Sequence, residues 1–452
     1  MLINILFLLI GYFFLIKIYY KKFPFVALAF FQIILLSLWA HFSTFFIDSQ
    51  AGIYSIELTK NLESNFSSSY RMLFFLLFLI APFIVFTKKR IQNLKESFQN
   101  NKKIEYNFLS FRVYDIVKFL FTVFLILVFF DIISKPIPLF YPEIGKGEYY
   151  QEFASGLVKN FYTYASFISF FIGFFILNNI RDRNKIDYHF VFLFLLILIM
   201  FVLLGNKFSA LFTSTCFLMI PLSLLFFAKS YSFLNSIKIK YLYIITGITL
   251  VLIIINFFSY FFLNNEWSST YGLAMIGNRL LIQQGQIFSS VAHRVIDLGI
   301  INTDLAYLRV FFEPVYSLDG NTSLHFLMYQ DIGSQAYTQI EAGYGFTSDL
   351  SAILLELFGS YFSYIVYFSF SLVASLLLYI LYRSIIEYKY LSVFFGIFVY
   401  HSFALSIIGG KLTYFCCGEI SNMYLLKISL FLLAYFFESI LLKKTNYFQS
   451  IN

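Results

Sequence analysis

The chain has 452 residues, 60% of them hydrophobic and only 12% charged, with a mean hydropathy of +0.78; ordinary soluble domains carry about 25% charge. So few charges exclude a soluble enzyme, and 21 Gly and 3 Cys exclude a collagen-like fibre and a disulfide scaffold. The formal net charge is +8, and most of the excess sits in short loops between apolar runs, where it sets orientation in a bilayer and does not signal nucleic acid.

A spanning helix needs about 20 apolar residues. Eleven runs qualify: 2–16, 24–47, 71–87, 113–133, 161–178, 189–204, 208–227, 241–263, 358–381, 391–409 and 424–442. The first has neither a preceding basic stretch nor a small-residue cleavage site, so it reads as a helix and not as a signal peptide. The expected fold is therefore an all-α polytopic membrane protein of about 11 spans. Residues 1–263 carry spans one to eight, 264–357 form a large loop, and 358–452 hold spans nine to eleven with a short tail. Of the 32 Lys and Arg, twenty fall in one set of alternate loops and nine in the other. The positive-inside rule then puts the N-terminus outside and the C-terminus inside. The abundant Phe and Tyr are expected to fill lipid-facing positions.

Residues 132–160 carry Pro136, Pro138 and Pro142 and an aromatic segment near Tyr149 and Tyr150. The hairpin Gly205-Asn206-Lys207-Phe208-Ser209 is so short that Lys207 must lie at the outer membrane surface, where a helix starting near Phe208 would add its N-terminal amides to an anion site. An ordinary snorkelling lysine is the structural alternative.

The large loop opens with Gly277-Asn278-Arg279 and continues with helical periodicity. At 100° per residue, Arg279, Gln283, Gln286, Ser290, His293, Arg294 and Asp297 fall on one side, opposite Leu280, Ile287, Phe288, Val291, Val295 and Leu298. This amphipathic helix has two possible settings: a solvated face at the membrane surface, or the wall of a cleft that receives an anionic head group. Arg suits the second, because its planar fork donates in pairs to phosphate. At the loop's end, Gly345-Phe346-Thr347-Ser348-Asp349 leads into Leu355-Glu356-Leu357-Phe358-Gly359. Ser348 or Asp349 can cap the re-entering helix, and Glu356, nearly two turns on, is placed on the same face as Asp349. An ionisable residue this close to hydrocarbon is a functional candidate.

The remaining polar points read as structural. Asp115 and Lys118 are spaced to neutralise each other, Lys427 and Glu438 to snorkel to opposite surfaces, and His41 and His401 to be satisfied within the bundle. Cys216 and the adjacent Cys416-Cys417 lack the spacing of a zinc site. No acidic metal motif, phosphate loop or nucleophile elbow appears, so no metal and no cofactor is expected.

In layout the chain resembles the Wzy-type O-antigen polymerases, the oligosaccharide repeat-unit polymerases. The likeness rests on the span number, the large external loop in the second half, Gly205-Asn206-Lys207, Arg279-Leu280-Leu281-Ile282, and the segment from Gly345 to Asp349 with Leu357-Phe358-Gly359. It implies a metal-independent glycosyltransferase in the bacterial inner membrane, with the loop in the periplasm. Its substrates would be two undecaprenyl-diphosphate-linked oligosaccharides, and a chain-length regulator and a flippase would share its pathway. Lys207, Arg279 and Arg294 would bind the leaving diphosphate, Asp349 or His293 would act as base, and Arg309, Glu313 and Glu356 would position the substrate. An O-antigen ligase remains a rival, since it shares a long external loop and a His/Arg site. A lipid-linked oligosaccharide flippase is a second; it would call for mid-depth charges and paired repeats.

Overall fold

The computed structural model describes residues 6, 10–11, 22–50, 52–55, 58–62, 66–100, 109–141, 148–183, 185–205, 209–227, 277–300, 323–341, 348–410 and 424–449. Pro24 occupies the first turn of α1 (Pro24–Ala29), where its missing N–H costs nothing. The helix breaks at Phe30 and resumes as α2 (Phe31–Ser49). Backbone groups freed within an apolar bundle must find partners. Here Tyr400 Oη donates to Ala29 O at 2.6 Å and Tyr382 Oη to Phe25 O at 2.9 Å.

A short hairpin follows, with β1 (Ile53–Ser55) antiparallel to β2 (Lys60–Leu62) and Ser55 opposite Lys60. Strands of three residues are too short to show alternation, and the sequence did not announce them. The chain continues through α3 (Ser67–Val85), the basic α4 (Lys88–Asn100), α5 (Leu109–Ile133), α6 (Gly156–Arg183), α7 (Tyr188–Leu203) and α8 (Ser209–Leu222). In the large loop, α9 (Gln283–Ala292) is flanked by wider π-type turns at Asn278–Ile282 and His293–Asp297, and α10 (Ser323–Ile332) and α11 (Gln335–Glu341) follow. The chain then re-enters as α12 (Leu350–Ile386), α13 (Tyr390–Gly409) and α14 (Tyr424–Gln449).

Among the described residues, seven helices are long and apolar enough to cross a membrane, and Tyr188–Leu203 is a shorter apolar one. The chain is a multi-pass helical membrane protein, and the hairpin is a small exception to the all-α expectation. The runs at 241–263 and, apart from three residues, 2–16 lie outside the described residues.

Large apolar side chains face outward along the helices, including Phe119, Phe130, Tyr361, Ile365 and Leu433, as a lipid-facing surface requires. The aromatic residues are not confined there. Phe30, Phe74, Phe78, Phe86, Phe161 and Tyr382 are among the largest fully buried side chains, and Phe30 meets Phe78 edge-on at 5.2 Å.

The two ends of the bundle differ in charge. One end joins Phe25, Phe86, Phe227 and Tyr382 to the basic α4. Here Arg181 donates to Ile386 O and lies over the Phe98 and Tyr388 rings. At the other end Asp48, at the close of α2, accepts from Ser67 Oγ, Ser68 Oγ and Ser68 N, fixing the start of α3. The hairpin, the loop helices and the first turns of α12 gather at this second end.

Several polar residues take other roles than the sequence suggested. Lys118 pairs with Asp187 at 2.7 Å and not with Asp115, because Asp187 caps the adjoining α7. Glu438 does not snorkel: it accepts from Leu391 N at 3.0 Å and Ser392 N at 2.9 Å, capping α13 from a neighbouring helix. Lys427 donates to Ser402 Oγ, and His401 lies between the Phe167 and Phe217 rings.

Candidate functional site

The first helix of the large loop enters the bundle. Residues 285–292 are all buried, so the middle of the polar stripe, Gln286 and Ser290, faces protein, while His293 and Asp297 at its end stay partly exposed. Gly285 makes this possible, because a Cβ there would stand 2.5 Å from Thr44 N and 2.7 Å from Ser43 Oγ. Only glycine lets α9 approach α2 this closely. Trp39 Nε1 and Ser43 Oγ donate to the carbonyls of Leu280 and Ile282 at 2.8 and 2.9 Å, anchoring the turn before α9. Phe288 packs edge-on against Phe74, and Gln286 accepts from Ser55 of the hairpin at 2.6 Å.

Two ionic clusters flank this helix. In the first, Arg294 donates Nη2 to Glu356 at 3.0 Å and Nη1 to Asp331. Lys60 of β2 reaches the same Asp331 oxygen at 3.1 Å and Ser290 Oγ at 2.9 Å, and Ser290 donates to Asp331 at 2.6 Å. The Asp331 side chain is fully buried and that of Glu356 nearly so. Burial works against the charge on Arg294, but the facing carboxylates of Asp331 and Glu356 outweigh it and hold the guanidinium above its ordinary value. Two cations meet two carboxylates, so the cluster is balanced. It ties the hairpin, α9, α10 and α12 into one unit.

The second cluster centres on Arg71, one turn into α3. Its side chain is 4% exposed; Nη2 donates to Asp349 at 2.6 Å, and Nη1 to Thr44 Oγ1 at 2.8 Å and Gln284 O at 3.1 Å. The guanidinium lies 5.0 Å from the Phe288 ring centre, within cation–π range. Asp349 occupies the N-cap position of α12 without a side-chain bond to the helix amides. Its carboxylate takes Arg71 and Ser351 Oγ instead. Arg71, Gln284, Ser348 and Asp349 line a partly open recess of about 30 Å³, room for a water or two, with Leu36, Ser37, Ala40 and Ile408 completing its wall. Among the described residues, Arg71 Nε, Ser348 Oγ and both ring nitrogens of buried His41 have no hydrogen-bond partner. The expectation of a satisfied His41 is not met there.

The re-entry helix is broken at Gly359, whose φ of 66° and ψ of −173° are open essentially to glycine alone. The break separates a first segment, buried from Leu350 to Glu356, from the spanning remainder. This gives a physical reason for the Phe358-Gly359 pair singled out in the sequence.

The residues selected from sequence thus distribute unevenly. Arg294 and Glu356 come together. Asp349 joins Arg71, so Asp349 and Glu356 do not act as a pair on one face. His293 Nδ1 meets Asp297 at 3.0 Å, both partly exposed, and shares no partner with Asp349 among the described residues. Lys207, Arg309 and Glu313 lie outside the described residues, as does the side chain of Arg279, whose backbone lies in the turn before α9. Sequence reasoning missed Lys60, Arg71 and Asp331. Arg71 carried a usable signal, an arginine inside an apolar run; Lys60 and Asp331 stand in polar connections where nothing distinguishes them.

Comparison with known proteins adds one match. No curated protein and no solved structure matches the chain. Residues 319–432 are similar to a family model described as a family of unknown function (DUF6418), a stretch that holds Asp331, Asp349, Glu356 and Gly359.

Proposed function

We propose that the chain is a metal-independent membrane glycosyltransferase that polymerises undecaprenyl-diphosphate-linked oligosaccharide repeat units into a surface polysaccharide of the O-antigen type. The observation that carries this is the position of Asp349. The long loop returns it to a partly open recess, held by Arg71, while α9 and α12 bring Arg294 and Glu356 to the same end of the bundle. An acid–base group and a cation at the rim of a lipid-facing bundle are what this transfer needs.

In the step envisaged, a hydroxyl of the acceptor glycan attacks the anomeric carbon of the lipid-linked donor. The new carbon–oxygen bond forms as the bond to the diphosphate breaks. The hydroxyl proton passes to Asp349, and undecaprenyl diphosphate leaves with the bonding pair. Arg294, with Arg279 and Lys207, stabilises the charge gathering on the leaving group. Arg294 reaches it by exchanging one carboxylate partner for a phosphate oxygen. Glu356 restrains the guanidinium until then, and Arg309 and Glu313 are assigned to substrate positioning. The chain sits in the bacterial inner membrane, with about 11 spans and the loop-bearing end in the periplasm. A flippase and a chain-length regulator belong to the same pathway.

Deleting the gene tests the assignment. Loss of a polymerase leaves single repeat units on the lipid core, whereas loss of a ligase leaves the core bare. An intact polymer ladder in the deletion strain would refute both. With the gene restored, Asp349→Asn is expected to lower polymer formation about 10²- to 10⁴-fold, the usual contribution of a general base, at unchanged protein level.

A further inference from the structure

Three donors from β2, α9 and the turn after it converge on one oxygen of Asp331. Lys60 Nζ stands 3.1 Å from Oδ1, Ser290 Oγ donates to it at 2.6 Å, and Arg294 Nη1 completes the set. The other oxygen, Oδ2, has no partner among the described residues, and neither has Arg294 Nε. A buried carboxylate fixed for stability alone would share its donors between both oxygens, since buried polar atoms are normally paired. Here the donors are arranged about a point, and Asp331 reaches that point with one oxygen. An ammonium, a guanidinium and a hydroxyl about one anionic oxygen are also what a phosphate group requires.

None of the three donors comes from α10, the helix that carries Asp331. Lys60 belongs to the hairpin, whose Ser55 donates to Gln286 of α9 at 2.6 Å, and Arg294 keeps Glu356 of α12 at 3.0 Å. α10 has ten residues, a length that is marginal by itself in water. Besides Asp331 it buries Leu327 and Met328. Its displacement leaves the hairpin, α9 and α12 assembled around an uncovered cationic pocket.

Charge is conserved in such an exchange. With Asp331 in place, Lys60 and Arg294 face the carboxylates of Asp331 and Glu356. A diphosphate diester carries one negative charge on each phosphate. One phosphate therefore replaces Asp331 charge for charge, and no buried cation is stranded.

We propose that Lys60, Ser290 and Arg294 form a binding site for the phosphate of a diphosphate ester, and that α10 covers it with Asp331 as an in-chain stand-in for that phosphate. The contact is autoinhibitory: binding of the ester and release of α10 are the same event. The inference rests on the polymerase reading only for the identity of the ester, which is there the lipid-linked donor.

The test uses the full-length chain in nanodiscs of phosphatidylcholine, with inorganic diphosphate as the probe. Hydrogen exchange of the amides in 323–341 is read against that of α3, and affinity is measured by calorimetric titration. A ligand normally slows exchange where it binds; here diphosphate is expected to speed it in α10, because it takes the place of Asp331. A ligand that binds only the uncovered site gains whatever the opening equilibrium gains. Asp331→Asn is therefore expected to bind diphosphate about 12- to 60-fold more tightly, the gain in opening when half the penalty of a broken buried pair is felt. Adding Lys60→Gln to Asp331→Asn should weaken binding about tenfold, as for one charge-assisted hydrogen bond. Asp297→Asn removes a nearby carboxylate whose partner is His293, and should leave exchange in 323–341 unchanged.

Diphosphate that slows exchange in 323–341 of the wild-type chain, or does not alter it, overturns the proposal whatever the variants do. So does an Asp331→Asn chain that binds diphosphate no more tightly than wild type while its spans exchange normally, the result a purely structural aspartate predicts. Nanodiscs containing phosphatidylglycerol supply a further arm. If that lipid alone speeds exchange in 323–341 and diphosphate adds nothing, the site belongs to a bilayer head group and the assignment to a diphosphate ester falls. A site that behaves as expected, in a chain whose deletion leaves the polymer ladder intact, upholds the covered phosphate site and refutes the polymerase reading.

Discussion

Asp331→Asn is the most informative change in the first ionic cluster, because one oxygen of a fully buried carboxylate serves three donors. The substitution keeps the size of the side chain and removes its charge, leaving a neutral amide oxygen to accept from the three donors while N–H₂ takes the place of Oδ2, which has no partner among the described residues. Losing one partner of a buried pair costs about 3–5 kcal/mol when the other charge is stranded. Arg294 is not stranded here, since Nη2 keeps Glu356 at 3.0 Å. Lys60 is 37% exposed, so water takes over most of its share, and an exposed pair is worth about 0–1 kcal/mol in any case. Half the full penalty remains, about 1.5–2.5 kcal/mol, and it falls on the contact that holds α10 against α9 and α12. At 1.4 kcal/mol per tenfold, local opening of α10 rises about 12- to 60-fold. Hydrogen exchange of the amides in 323–341 reads this directly, with α3 as the internal reference. Unchanged exchange in 323–341, in a variant whose spans exchange as in wild type, would show that the charge cluster does not dock the loop.

The other expectations follow from backbone geometry and capping. Gly359→Ala forces an L-residue into a glycine-only conformation, at about 1–3 kcal/mol; a lower melting midpoint by fluorescence-detected size exclusion is expected, and an unchanged one contradicts the kink. Gly285→Ala places a Cβ 2.5 Å from Thr44 N; overpacking of about 1–3 kcal/mol should pull α9 from α2 and speed exchange in 283–292, with the far end of the bundle unaffected. Glu438→Ala uncaps α13, which loses acceptors for Leu391 N and Ser392 N; a loss of about 0.5–2 kcal/mol is expected in thermal unfolding, and Glu438→Gln should recover part of it.

The spans were legible because hydropathy is a property of whole segments. The apolar runs from 24–47 through 208–227 and from 358 onward each coincide with a helix or with a helix interrupted once. The polar partners were not legible, because periodicity specifies a face but not what the face meets. Gln286, Ser290 and Arg294 were correctly grouped on one stripe, but their counterparts are Ser55, Lys60 and Asp331, from a hairpin more than two hundred residues earlier and a helix about forty later. Asp349 and Glu356 looked paired by spacing on an ideal helix. Asp349 has extended backbone at the cap position, which turns it toward Arg71. Gly359 was noticed as part of a motif, but only its backbone angles explain why glycine stands there.

The contrast among three polar groupings at the loop-bearing end separates fold from function. Asp48 is spent on Ser67 and Ser68, whose hydroxyls and amide start α3; its role is complete within the fold. The Arg294 cluster is closer to neutral bookkeeping: buried ion pairs can often be replaced by apolar side chains without loss of stability, so docking alone does not demand two cations and two carboxylates. Both ionic clusters leave buried polar atoms without partners among the described residues, Arg294 Nε and Asp331 Oδ2 in the first and Arg71 Nε and Ser348 Oγ in the second, but the Arg71 cluster also lines a partly open recess. A sequence shaped for stability alone would place apolar residues at Arg71 and Asp349, as it does at Leu36 and Ile408 on the opposite wall. An arginine held almost wholly out of water, facing a recess that it does not fill, is a cost that packing does not offset. A bound polar group would offset it, which is why the proposed function places its chemistry at this end of the bundle.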